Sequence, residues 1–424
     1  MVRDDGRDGI SRRDFVVAGM TAAAVAGLPL VAKADPPKDE DEGDEEEGKG
    51  ETKKREVLPT RVLGKTGEKV TILNIGATGE VTRRLMNAAD KAGIRMLDTA
   101  DCYVKGKHES GLGEWLNKSG RRKEFFVVSK DHPNTPDEWV EQLDKRLKNF
   151  QNDYLDLFFI HGLGEPKIGY KMTEEEVLNV AKSKEWAAAA EKMKKSGKTR
   201  FVGIALHGEI PVRCQILKNA AEGGWVDAIM LMYDPQTVRE HDDFNKALDI
   251  AHKAGVGLIA MKTMRTVKTV EEDVPKFKEM GLSPHQAVLQ AVWTDERFAS
   301  ICSAINNLKI LKENASAARN FKPLKKDKMA AVLEMYDRPG RRFCAACDGR
   351  CHRAAGTDAA LNDIVRYLSY YELDGCREKA RDLFASLPEH RRDWRGADLA
   401  AASKACVSKL DFETLLTRAQ AKLA

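Results

Sequence analysis

The sequence predicts an α/β protein, a (β/α)8 TIM barrel followed by a C-terminal helical, cysteine-containing extension. Three observations carry that expectation. Eight nearly continuous apolar runs of strand length alternate with segments of helical period. Polar residues able to handle a proton close several of those runs. Near residue 335 the alternation stops, and five of the eight cysteines lie beyond it.

The expected strands are TILNIGA (71–77), IRMLDTA (94–100), FFVVSK (125–130), YLDLFFIH (154–161), RFVGIA (200–205), DAIMLMY (227–233), VGLIAMK (256–262) and SICSAI (300–305). Between them lie amphipathic stretches such as DEWVEQLDKRLKNF and HDDFNKALDIAHKAG, the second stopped by Gly255. Apolar strands separated by helices imply a parallel sheet covered on both faces. Eight of them imply closure. An open doubly wound sheet would carry a G-x-G-x-x-G turn after its first strand, and NIGATGEVTRR lacks that spacing. Residues 164–186 read as a long loop over the strand tips, either a lid or an insertion.

The first residues stand outside this plan. Arg12-Arg13, a weakly apolar stretch containing Gly19, Gly27 and Pro29, and a small-x-small site at Ala32-Lys33-Ala34 read as a twin-arginine export signal over 1–34. The alternative is an uncleaved anchor, since the run of about 17 residues is near the lower limit for a span. The expected location is therefore periplasmic or extracytoplasmic, with the twin-arginine export machinery as a partner and no stable membrane span after processing. Residues 35–56 form an acidic, Pro/Gly-punctuated linker without the apolar content to fold. The barrel is expected over 57–325 and the extension over 335–424. A net charge of +4 on 424 residues, with no basic stripe interleaved with aromatics, excludes nucleic acid as the natural partner.

Asp98, Tyr103, Lys130 and His161 fall at the downstream ends of three successive strands or in the adjoining loop, where a barrel enzyme gathers its chemistry. Each has an ordinary structural reading taken alone: a helix cap, a packed loop aromatic, a strand-end charge, a satisfied histidine. Together they form a proton-delivery set for a carbonyl oxygen. A phenol near pKa 10 is a feeble acid at neutral pH. A neighbouring ammonium is expected to lower that value, with a carboxylate holding the ammonium in place.

RVLGKTGEKVTILNIG, MLDTADCY, FFVVSK, YLDLFFIH, GKTRFVGIA and LKENASAA resemble the successive signatures of the aldo/keto reductase family over residues 57–322. The resemblance implies a barrel oxidoreductase moving a hydride between NADP(H) or NAD(H) and a small carbonyl or alcohol. Tyr103 would be proton donor, and Asp98, Lys130 and His161 its partners. It also implies cofactor contacts at Glu313 and Asn314. The chain departs from the family at Ala205-Leu206 and Met230, where polar groups would hold the nicotinamide amide. It departs again at Ile310 and Ala304, where cations would meet a 2′-phosphate. Weak or altered nicotinamide binding follows. The alternative from another class is a catalytically silent barrel kept as an exported redox or binding scaffold.

Some members of that family carry a ferredoxin-like extension with two C-x2-C-x2-C-x3-C-P runs, which RRFCAACDGRCHRAAG and CVSKLDF resemble in degenerate form. Cys344, Cys347 and Cys351 survive from one run, with Arg341 at its opening position and His352 in place of proline. Cys406 survives from the other, with Gly396, Leu399 and Ala402 at its earlier positions. By the cross-ligation of such runs one site keeps Cys344, Cys347 and Cys406 with Arg341 in the fourth place, and the other keeps only Cys351. The resemblance implies one surviving iron–sulfur cluster, a 4Fe-4S with Cys351 recruited as fourth ligand or a three-cysteine type, with an electron-transfer partner. Zinc on the same thiolates, haem on the C-x3-CH segment and a disulfide-bearing relic are the competing readings. Cys102, Cys214 and Cys302 read as packing thiols, and Cys376 has no companion motif.

Overall fold

A computed structural model describes residues 56–76, 79–164, 171–264, 267, 272–338, 344, 346–372 and 377–424. The expected signal, nearly all of the linker, Arg341 and Cys376 lie outside them. Residues 54–424 form one compact unit.

A hairpin of β1 (Thr60–Val62) and β2 (Lys69–Thr71) precedes the barrel. The eight expected strands all form: β3 (Leu73–Gly76), β4 (Met96–Asp98), β5 (Phe126–Asp131), β6 (Leu155–Leu163), β7 (Thr199–Leu206), β8 (Ala228–Met232), β9 (Gly257–Met261) and β10 (Phe298–Ala304). They close as a parallel barrel in chain order, β10 pairing with both β9 and β3. Leu63 and Val70 of the hairpin reach the barrel's inner core and plug its lower end.

Side chains alternate between the barrel interior and the helical layer with the period of two that a strand imposes. Met96, Phe126, Val128, Leu157, Phe159, Ala205, Ala228, Met230 and Ile259 fill the interior. Leu97, Val127, Phe158, Ile160, Val202, Ile204 and Leu258 face the helices. Gly203 is obligatory in this arrangement: a Cβ there would meet the Ala228 carbonyl at 2.1 Å and the Phe159 ring at 2.5 Å.

The covering helices are α1 (Arg83–Lys91), α2 (Lys107–Ser119), α3 (Pro136–Phe150), α4 (Glu174–Asn179), α5 (Lys184–Lys195), α6 (Ile210–Gly223), α7 (Pro235–Glu240), α8 (Asp242–Lys253), α9 (Asp273–Lys278), α10 (Pro284–Thr294) and α11 (Leu308–Arg319). Their starts are written in the chain. Thr135 caps α3 ahead of Pro136, and Ser283 and Gln286 form a capping box on α10. The expected long loop at 164–186 is largely helical. Thr173 and Glu176 box the start of α4 and Ser183 caps α5; residues 165–170 lie outside the described set.

The change of character also falls later than residue 335 in packing terms. Helix α12 (Lys326–Asp337) sends Val332, Met335 and Tyr336 against Phe277, Ala287 and Val288 of α9 and α10. The extension proper comprises α13 (Arg350–Ala354), α14 (Leu361–Glu372), α15 (Arg377–Ser386), α16 (Glu389–Arg392), α17 (Leu399–Ala405) and α18 (Phe412–Leu423). It has its own core, in which Ile364, Leu368, Phe384 and Leu416 pack with Cys344, Cys351 and Cys406. Among the described residues no helix is long and apolar enough to cross a membrane.

Candidate active site

The inward alternation of three adjacent strands decides what lines the barrel mouth. Met96 is followed two residues on by Asp98, Phe126 and Val128 by Lys130, and Leu157 and Phe159 by His161. The three polar residues are thus the top inward layer of β4, β5 and β6. Lys130 and Asp98 are each 1 % exposed. The Lys130 ammonium lies 2.7 Å and 2.8 Å from the two Asp98 oxygens, donates to the Thr99 carbonyl at 2.7 Å, and reaches the Tyr103 hydroxyl at 3.4 Å. Its three protons are all committed, so the side chain is fixed.

Tyr103 opens a short turn that climbs from β4. Val104 (φ 51°), Lys105 (φ 54°) and Gly106 (φ 83°) all sit in the left-handed region. For a β-branched residue that is a strained position, held by the surrounding structure. The phenol is edge-on to His161, with ring centroids 5.8 Å apart, and edge-on to His108 at 6.2 Å. The four residues singled out in the sequence therefore meet in one cup.

The electrostatics correct one expectation. The Tyr103 hydroxyl is not made more acidic. Burial pushes its pKa well above the ordinary value, and the charges of Asp98, Cys102, Cys302 and Asp101 push the same way. Burial is the largest cause, and the Lys130 ammonium beside the phenol does not offset it. Burial also raises the Asp98 carboxyl, against the pull of Lys130 and a hydrogen bond to Cys302. His161 is driven well below its ordinary value by burial, with His132 and Lys130 adding to it. Burial and the Lys130 charge bring His108 down to about 4. At neutral pH the cup thus holds a protonated phenol, with His108 and His161 neutral.

Several residues of the cup were not singled out in the sequence. Cys302, expected to be packing, bonds Asp98. A register shift between Phe298 and Ser300 turns it toward the interior. Cys102 lies 3.8 Å from His161 Nδ1. Asp101, His132 and His108 complete the wall; His108 shares a 2.9 Å hydrogen bond with Thr99. Asp101 and Cys102 stand in the quoted MLDTADCY, but only the turn geometry brings them to His161.

The other half of the mouth is apolar and covered. Ala205 and Leu206 end β7, Met230 and Met232 lie on β8, and Met261 ends β9, all of them buried. The extension docks here. The Ile210 N–H donates to the Cys347 carbonyl, Met232 packs on Ala346, and Asn362 donates to Glu209 at 2.7 Å. Fully buried Arg213 bridges the two bodies, donating to the Met232 carbonyl at 3.1 Å and the Ala346 carbonyl at 2.9 Å. Cys344 shares a cleft with Leu206, Met232, Met261 and Lys262.

Glu313 and Asn314 lie on α11 beside β10. Ser283 donates to the Glu313 carboxylate, and Asn314 donates to Ser303 at 2.9 Å. Both side chains are thus engaged within the protein at the positions where the resemblance implies cofactor contacts. Ala205, Leu206 and Met230, where the resemblance places contacts to a nicotinamide amide, carry no hydrogen-bonding side chain. Cys344, Cys347, Cys351 and Cys406 are free thiols. Burial raises Cys344 well above the ordinary thiol value, Cys347 to about 11 and Cys351 to about 12, and repulsion among these thiols, with Cys406 taking part, adds to each. Cys344, Cys351 and Cys406 share the core of the extension while Cys347 packs against the barrel, and among the described residues these thiols do not form a group tight enough to hold a single metal ion.

A sequence model described as the aldo/keto reductase family matches residues 77–278. Among curated proteins, an aldo-keto reductase of Schizosaccharomyces pombe named for NADP(+) is 26% identical over 201 residues, covering 42% of this chain and 53% of its own length. A glyoxal reductase of Bacillus subtilis is 35% identical over 130 residues, covering 30% and 41%. The chain therefore spans about half the length of the curated relatives it matches. Among solved structures, an aldo-keto reductase of Klebsiella pneumoniae in complex with NADPH aligns with a TM-score of 0.52 at 20% identity, covering 68% of this chain and 98% of that one. A holo aldo-keto reductase of Bacillus halodurans aligns with a TM-score of 0.51 at 21% identity, covering 66% and 96%. These structural likenesses establish the fold.

Proposed function

We propose that the protein is an oxidoreductase of aldo/keto reductase type acting on a small carbonyl or alcohol, with Tyr103 as the proton donor, a reading supported by the family model over residues 77–278 and by the curated relatives. The observation that carries this reading is the Lys130 ammonium, clamped by Asp98 and 3.4 Å from the Tyr103 hydroxyl at the barrel mouth. A bound nicotinamide, NADP(H) before NAD(H), supplies or takes the hydride.

Tyr103 keeps its proton until a carbonyl oxygen beside it gains negative charge. The phenol O–H bond then breaks and the alcohol O–H forms. Lys130 stabilises the phenolate left behind, and water restores the proton. Asp98 keeps Lys130 in position. His161, held neutral by burial, aligns the carbonyl oxygen. General acid assistance of this kind is worth about 10²–10⁴-fold.

In the same reading Cys344, Cys347, Cys351 and Cys406 hold one iron–sulfur cluster. The docking of the extension on the tips of β7–β9 supports electron exchange between that cluster and the barrel mouth. The paired Arg12-Arg13 segment directs export of the folded chain.

The test is a titration with NADPH and NADH followed by fluorescence, together with turnover of a test aldehyde by Tyr103→Phe. The expected result is undiminished cofactor binding with turnover reduced about 10²–10⁴-fold. Unchanged turnover would remove the role of Tyr103. A folded protein that binds neither nucleotide would be the silent scaffold instead. Iron and acid-labile sulfide measured on protein isolated without air test the cluster, and a colourless, iron-free product refutes it.

A further inference from the structure

We propose that Asp101, Cys102, His132 and His161 form a binding site for one divalent transition metal of the zinc class, at the rim of the barrel mouth beside Tyr103.

The argument is geometric. Zinc binds imidazole nitrogen at about 2.0–2.1 Å, carboxylate oxygen at about 2.0–2.2 Å and thiolate at about 2.3 Å. In a tetrahedron those bonds place ligand atoms roughly 3.3–3.6 Å from one another. Here His132 Nδ1 lies 3.3 Å from one Asp101 oxygen, and His161 Nδ1 lies 3.6 Å from the other. The Cys102 sulfur is 3.8 Å from His161 Nδ1. One donor atom from each of the four residues lies within 4.8 Å of all the others. Among the described residues no other group of three or more His, Cys, Asp and Glu side chains does this. The separations approach the edges of a tetrahedron, and closing the whole set from its 4.8 Å limit onto an ion needs side-chain shifts of up to about 1 Å.

The scaffold holds that geometry from three directions. The Asp101 N–H is bonded to the Lys130 carbonyl at 3.1 Å, and the Thr99 N–H to the Val128 carbonyl at 2.9 Å, so the turn bearing Asp101 and Cys102 is fixed to β5. His132 directly follows the last residue of β5, and its N–H donates to Asp131 at 2.8 Å. His161 belongs to β6. His161 is buried, Asp101 and His132 are partly exposed, and Cys102 is exposed, so an ion can enter from solvent.

The donor set selects the metal. Two imidazoles, a thiolate and a carboxylate suit zinc and its neighbours and disfavour magnesium and calcium, which take oxygen ligands. One carboxylate and one thiolate balance the two charges of the ion. Four protein ligands also close the tetrahedron, which leaves no open position for Lewis-acid chemistry. The metal would instead withdraw His161 from the carbonyl oxygen, so occupancy inhibits turnover. That last step alone rests on the reductase reading.

Cobalt(II), added to the full chain as purified, is the probe, read by its thiolate-to-metal absorption and by equilibrium dialysis. The thiols of the extension are controlled with Cys351→Ser. In the Cys351→Ser background a cobalt–thiolate band is expected that adding Cys102→Ser removes. His132→Gln is expected to weaken binding about a hundredfold or more, since even the loss of outer-shell partners costs 10–100-fold. A band undiminished when Cys102→Ser is added to Cys351→Ser, or binding by His132→Gln within a few-fold of wild type, overturns the site. Zinc is expected to inhibit aldehyde reduction by wild type and to lose that effect in His132→Gln. Binding without inhibition would overturn the inhibitory role and leave the site standing. Absence of turnover in every variant would count against the reductase reading, not against the metal.

Discussion

Replacing Lys130 by methionine separates what the Asp98–Lys130 pair does for the fold from what it does for catalysis. Both groups are 1 % exposed, and the ammonium makes contacts at 2.7–2.8 Å to Asp98 and 2.7 Å to the Thr99 carbonyl. Methionine has nearly the length of the lysine stem, so the loss is electrostatic rather than a cavity. An uncompensated Asp98 carboxylate remains, and breaking a buried pair in this way costs about 3–5 kcal/mol. Burial already raises the Asp98 carboxyl. Protonation of Asp98 therefore places the expected loss toward the lower end of that range. The double variant Asp98→Asn, Lys130→Met removes both charges and is expected to regain all but about 1–2 kcal/mol, since apolar replacements of buried pairs are often neutral. Turnover should not return with stability, because Tyr103 still lacks the ammonium that would stabilise its phenolate. Urea unfolding followed by tryptophan fluorescence gives the stabilities, and aldehyde-dependent loss of reduced-nicotinamide absorbance gives the rates. A double variant that recovers turnover together with stability refutes the catalytic role of the pair. A single variant that loses under about 1 kcal/mol refutes the burial argument.

His108 has a folded-state pKa of about 4 against 6.5 for the free group. The unfolded chain therefore takes up this proton first as pH falls. Its contribution, roughly 3 kcal/mol from the size of that shift, is complete above about pH 6.5 and is lost as pH drops toward 4. His108→Gln should flatten that part of the stability–pH curve, measured as urea midpoints, and an unchanged slope would assign it to other groups. Val104→Gly relieves a left-handed β-branched residue that is 36% exposed, so stability should rise by about 1 kcal/mol in thermal unfolding. A loss would mean that the turn is not strained. Arg213→Met deprives the Met232 and Ala346 carbonyls of a buried donor and is expected to cost about 2–4 kcal/mol. Hydrogen exchange should show the loss as faster opening of the segment around 346–351, and uniform protection would separate docking from Arg213. Gly203→Ala drives a methyl into the Ala228 carbonyl and the Phe159 ring. It should destabilise by more than the about 1–3 kcal/mol of ordinary overpacking, as a lower thermal midpoint would show.

The chain by itself determined the barrel. Eight apolar runs between capped amphipathic helices leave a parallel closed sheet as the arrangement that buries every strand on both faces. It also determined Asp98, Lys130 and His161 as a set, because strand parity carries Met96 to Asp98, Val128 to Lys130 and Phe159 to His161. What linear order could not convey was anything set by distances across the mouth. The β10 irregularity that turns Cys302 toward Asp98, the bonding of the segment after β4 to β5 that brings Asp101 and Cys102 to His161, and the docking of Cys344 on the tips of β7–β9 all depend on residues remote in the chain. The direction of the Tyr103 shift belongs with them. A lysine near a tyrosine suggests an acidic phenol, but burial and then the neighbouring Asp98 push the other way. Only the packed structure, through burial and the position of Asp98, decides that balance.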